Sequence, residues 1–230
     1  MNQNTTTAPS APRQRPALPE HLRTLHYWLA NEDVYTSDYV RNWLTRTPPR
    51  QAMDTLARIA ENARPEPHSM LYAIFRGMLM IFTTSETVSE TGPAGRKAGL
   101  RAALLLAQHG DVRCIAPLVR VFETGWLWPG KYQEDIETAL TRFLSASGDQ
   151  PEVRRYADDL RRLAERLWRS GGGRRELPEP HALLLIAILN SLRHGAEESD
   201  IALLRSIAGA RPARPHRARV TAAASALLPA

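Results

Sequence analysis

Cysteine and lysine are nearly missing from this 230-residue chain. The single cysteine, Cys114, rules out an internal disulfide framework and any cysteine-built metal cluster within one chain. Its place in an apolar helical pattern predicts a small buried side chain. Lysine occurs only as Lys97 and Lys131, so arginine carries almost all of the positive charge. Long apolar runs are lacking too: residues 70–82, interrupted by Arg76, and residues 182–189 fall short of the roughly 20 residues that cross a bilayer, and no membrane partner is expected. The first twenty residues hold no apolar segment of the secretory type, so the expectation is a cytoplasmic protein. Catalytic signatures are absent as well. There is no Gly-x-Ser-x-Gly elbow and no His-Glu-x-x-His helix, and the Gly92-Pro-Ala-Gly-Arg-Lys97 stretch lacks both the preceding strand and the Lys-Ser/Thr ending of a phosphate loop. His21 and His26, five apart, diverge around a helix and make a poor metal pair. No metal or cofactor is implied, and the seven histidines read as surface or partly buried rings.

What is present is helical periodicity. Apolar residues make up 43% of the chain, enough for a continuous core. Residues 1–18 carry prolines and small polar residues without periodicity and read as a disordered tail. From Pro19, Leu22, Leu25, His26 and Leu29 share one helix face. A second helix carries Tyr39, Val40, Trp43 and Leu44 and stops before Pro48-Pro49. A third carries Ala52, Met53, Leu56, Ile59 and Ala60, and residues 68–83, apolar nearly all round, form the most enclosed helix of an N-terminal helical region spanning 19–83. Residues 84–98, polar and interrupted by Gly and Pro, read as a flexible loop and domain boundary.

Beyond it, residues 99–123 form two short amphipathic helices joined at Gly110-Asp111, with Leu100, Ala103, Leu104 and Ala107 on one stripe and Ile115, Leu118, Val119 and Phe122 on the other. Stripes this narrow cannot make a core alone, so such a hairpin has to stack on others. Further helices are expected at 132–146, 151–168, 181–194, 201–208 and 215–228, with a flexible link at 170–180. The total is about eleven helices and no strand, an all-α protein. Turn glycines at 110, 148 and 195 lie 38 and 47 residues apart. The hairpin, through Arg101, Ala102, Leu104, Gly110, Asp111, Ile115, Pro117 and Leu118, resembles the HEAT-repeat pattern, and the resemblance extends in degenerate form over about 99–228. It implies an α-solenoid of stacked antiparallel helix pairs, with 99–230 as the repeat region, acting as a non-enzymatic scaffold or adaptor for a protein partner. The concave face in that family is lined by the first helix of each pair. Carried over, the contact residues are Arg101, Gln108, Arg142, Asn190, Arg193, Arg217 and Arg219, with Trp126 and Trp128 in the loop at 125–130 as candidate anchors.

Net charge is +6, and the excess lies mostly in the last third. The alternative partner is therefore nucleic acid, held by Arg154, Arg155, Arg161, Arg162, Arg169, Arg174 and Arg175. On the helix 151–168 opposite charges lie largely four apart, so its arginines already have acidic neighbours. A third reading follows from a resemblance to HEAT-like DNA glycosylases, whose tryptophans and single aspartate would correspond to Trp126, Trp128 and Asp135. Glu134, Asp135 and Glu137 read more simply as acidic residues favouring the start of their helix.

Overall fold

Leucine and alanine at three-and-four spacing decide which side of each helix is hidden. The computed structural model describes residues 20–31, 38–63, 93–123, 130–169, 176–193, 197–211 and 214–228. Among these residues there is no strand. The helices are α1 (Glu20–Asn31), α2 (Asp38–Arg46), α3 (Pro49–Ala60), α4 (Pro93–Gln108), α5 (Ile115–Glu123), α6 (Gly130–Ser147), α7 (Ala157–Arg169), α8 (Glu179–Arg193), α9 (Glu198–Ala208) and α10 (Pro215–Leu227). Short 3-10 helices, Val112–Cys114 and Pro151–Tyr156, precede α5 and α7. The expected tail at 1–18 and helix at 68–83 lie outside the described residues, as do the tryptophan-bearing residues 124–129, residues 170–175 of the link and the expected cap Gly195.

The inward residues follow the apolar periodicity. Leu22, Leu25 and Leu29 of α1, Leu56 and Ile59 of α3, Leu160, Leu163 and Leu167 of α7, and Leu184, Leu185, Ile188 and Leu189 of α8 are buried, and one contiguous core runs from α1 to α10. His26, expected as a surface or partly buried ring on the face shared with Leu22, Leu25 and Leu29, is buried completely, at 1% exposure.

Two boundaries differ from the expectation. The loop expected over 84–98 is helical from Pro93, since proline at the first helical position supplies the right φ and loses no bond the helix needs. Ala98 is already fully buried there. Gly99 inside α4 marks a close approach: a Cβ at this position would lie 2.9 Å from Ala63 Cα and collide with Ala63 N, so the exit of α3 rests on α4 where α4 has no side chain. The single helix expected over 151–168 is divided. Pro151 opens a tight 3-10 segment in which Val153 N donates to Gln150 O at 3.0 Å, and this winding turns Val153 into the core before α7 begins.

The Gly110-Asp111 turn is built as the hairpin pattern predicts. Gly110 takes φ +74° past the end of α4, and Asp111 N donates to Leu106 O at 2.9 Å, the six-to-one bond that closes a helix C-terminus. Asp111 then accepts from Arg113 N at 3.0 Å, capping the 3-10 turn, while the Arg113 guanidinium reaches Asp111 Oδ2 and Asp54 Oδ1, each at 2.6 Å. Burial pushes the Asp111 carboxyl up, but the hydrogen bonds and charge of Arg113 outweigh it and hold the group below the usual aspartate value. A depressed folded-state pKa means that the stabilisation is complete above the unfolded value of about 3.9 and is lost as pH falls through the lower folded value. Asp111→Asn keeps the cap but removes the charge facing Arg113, and is accordingly expected to lose about 1 kcal/mol at neutral pH. The gap to the parent protein in urea melts should close as the pH is taken well below 4; a gap that persists in acid would remove the carboxylate from this account.

The order of packing is regular. Helices α4, α6, α8 and α10 touch in succession, and so do α5, α7 and α9, while α5 also lies on α4 and α6, α7 on α8, and α9 on both α8 and α10. At the other end α1 and α3 both pack on α4, and α2 on α1.

Candidate functional site

The succession of α4 and α6 leaves a cleft of about 750 Å³. Its floor is apolar, from Leu104 and Ala107 of α4 and Ala139, Phe143 and Ala146 of α6. Its rim is polar: Gln108 on α4, and Glu134, Asp135, Thr138 and Arg142 on α6. Eight residues separate Glu134 from Arg142, about 12 Å along the helix axis, so the rim is negative toward one end and positive toward the other. A second depression of about 360 Å³ lies between α6 and α8 and shares Ala146 with the first; Asn190, Ser191 and Gly148 border it. The closeness of α6 to α8 here has a local cause, since a Cβ on Gly148 would run into the Ser191 hydroxyl.

Three of the expected contact residues, Gln108, Arg142 and Asn190, are thus exposed and lie along these two neighbouring depressions. Arg193 and Arg219 are also exposed but border neither depression. Two others are not outward. Arg101 is half-buried and its Nη1 donates to Leu29 O at 2.9 Å, placing a cation on the C-terminal turn of α1. Arg217 is 2% exposed: its guanidinium carbon stands 4.9 Å from the Trp168 ring centroid, and Nη1 donates to Trp168 O at 2.8 Å. The arginine stem is buried with it, covering apolar surface as long charged side chains do. Trp126 and Trp128 lie outside the described residues.

The acidic residues of α6 are also corrected. The helix begins at Gly130, so Glu134, Asp135 and Glu137 lie beyond its first turn. Glu134 and Asp135 face the cleft, whereas Glu137 is 4% exposed. Its Oε1 lies 2.5 Å from His181 Nε2 on α8, and the His181 ring meets Phe122 edge-on at 5.9 Å. Sequence spacing held no sign of this cross-helix pair. Among the described residues no cluster of three histidine, cysteine, aspartate or glutamate side chains could hold a metal ion.

Three of the arginines of α7, Arg161, Arg162 and Arg169, are engaged on their own helix, but mostly three residues apart and not at the spacing of four that was expected. Arg162 pairs with Asp159, and Arg169 with Glu165 at 3.0 Å. Arg161 is the hub: its guanidinium reaches Asp158 at 2.8 Å, Asp200 at 2.8 Å and Glu197 at 3.4 Å. Asp200 is 2% exposed and also accepts from Glu197 N at 3.3 Å, so one buried carboxylate both starts α9 and ties it to α7. Arg154 and Arg155 are exposed on the 3-10 segment, and Arg174 and Arg175 lie outside the described residues. No described helix is long and apolar enough to cross a membrane. No protein-family model matches this chain, and no curated protein or solved structure matches it.

Proposed function

We propose that this chain is a HEAT-like α-solenoid scaffold, non-enzymatic, which holds a protein partner along the layer of α4, α6, α8 and α10. The observation that supports this reading is the order of packing, in which alternate helices touch in succession and collect Gln108, Arg142 and Asn190 along adjoining depressions. The α4–α6 cleft is the anchor: an apolar floor takes a partner side chain, and the rim carboxylates and Arg142 orient polar groups on either side of it. A glycosylase reading has less support, because Asp135 shares its rim with Glu134, Thr138 and Arg142 in an open cleft. Nucleic acid on α7 is likewise weaker, because Arg161, Arg162 and Arg169 are each already paired.

The test fills the cleft without touching the core. Thr138 is exposed on its rim, so Thr138→Trp is expected to leave the helical circular dichroism unchanged. A partner captured from the source cells and then purified should bind this variant at least about tenfold more weakly, the loss a blocked hot spot produces. A photo-crosslinker in place of Gln108 should attach to the same partner. Equal affinity for the parent and the variant would remove the cleft from the interface.

A further inference from the structure

After Asp200 the sequence holds five arginines and no aspartate or glutamate. The fold sorts the five. Arg217 is turned inward over Trp168, while Arg205, Arg211, Arg214 and Arg219 are exposed. These four surround one feature, the connection between α9 and α10. Arg205 lies in the last turn of α9, Arg211 and Arg214 in the connection, and Arg219 in the second turn of α10. At about 1.5 Å per residue, Arg205 and Arg219 stand within roughly 6 Å of the helix ends that the connection joins. Since α9 packs on α10, the four arginines all lie toward the end of the pair at which the two helices are joined.

None of the four side chains makes an ion pair or hydrogen bond among the described residues, in contrast to those of Arg161, Arg162 and Arg169 on α7. The carboxylate that reaches this end, Glu176, accepts the backbone N–H of His216 at 3.1 Å. Arginine in place of lysine carries no weight here, because the whole chain has that bias; the lack of aspartate and glutamate after Asp200 does.

We propose that Arg205, Arg211, Arg214 and Arg219, at this end of the α9–α10 pair, form a sequence-independent binding surface for the phosphate backbone of nucleic acid. Guanidinium groups without partners bind phosphate bidentately and release its counterions at no cost in broken ion pairs. An anionic bilayer is the poorer fit, because α9 and α10 bury most of their large apolar residues, Leu203, Leu204, Ile207, Val220 and Leu227, and leave only the partly covered Ile201 to insert. This surface is separate from the α4–α6 cleft and does not depend on it.

The test is fluorescence anisotropy of the full chain with two labelled DNA duplexes of unrelated sequence. Both are expected to bind alike, with log K falling against log salt at a slope of about −3 to −4, as four phosphate contacts require. The triple variant Arg205→Gln, Arg211→Gln, Arg219→Gln should bring that slope to about −1. The triple Arg46→Gln, Arg50→Gln, Arg58→Gln changes exposed arginines at the opposite end by the same charge and should leave the slope unchanged. Should the first triple fail to fold, each single variant is expected to lower the slope by about one. No binding at low salt, equal weakening by both triples, or loss of binding to phosphatidylserine vesicles without loss of binding to DNA would each overturn the proposal.

Discussion

Arg161→Ala is expected to destabilise the protein by about 3 to 5 kcal/mol, the cost of leaving a buried charge without its partner. Asp200 is 2% exposed, and Arg161 is its only ion-pair partner among the described residues. The arginine itself is mostly covered, with 16% of its side chain exposed, and hydrogen bonding to Asp200 raises its pKa. Removing it also detaches Asp158 and Glu197, but these are largely exposed and water replaces the arginine cheaply. For a chain of this size the loss corresponds to a fall in melting temperature of about 10 °C or more. Asp200→Leu combined with Arg161→Met should recover most of that loss, because the pair is then absent and not broken. If Arg161→Ala melts within a degree or two of the parent protein, the α7–α9 connection does not rest on this charge.

Gly99→Ala is the second large effect, and its sign is what matters. Helix propensity alone makes the substitution stabilising by about 1 kcal/mol. The added methyl, however, would meet the backbone of Asn62 and Ala63, which cannot rotate away as a side chain can. The exit of α3 must then move off α4, and the expected result is a net loss of about 2 to 3 kcal/mol, the cost of overpacking. Because α4 also carries α1, the shift is expected to loosen the whole N-terminal end: amide exchange in α1 and α3 should quicken while α8 and α10 stay protected. A stabilised Gly99→Ala protein would show that α3 and α4 are not held this closely.

Helix positions were legible because apolar periodicity is a property of each segment. Leu22, Leu25 and Leu29, or Leu160, Leu163 and Leu167, could be assigned to the core from spacing alone, and all six are buried. The Gly110-Asp111 turn was legible for the same reason, since its left-handed glycine and capping aspartate act within a few residues of themselves. The start of α4 was misplaced because two glycines and a proline ordinarily interrupt helices, and only the backbone of α3 resting on Gly99 accounts for glycine within one. The candidate site was legible in part: Gln108, Arg142 and Asn190 lie on neighbouring depressions, but nothing local signalled that Arg101 and Arg217 would be drawn inward.

By itself, then, the sequence determined that the chain is all-helical, which side of each helix is hidden and where its tightest turn falls, because these depend on the preferences of adjacent residues. Only the tertiary structure decided which arginines are free and which are spoken for. An arginine side chain reaches far enough to choose a partner on another helix, as Arg161 does with Asp200 and Arg217 with Trp168, and that choice exists only once the helices have been set side by side.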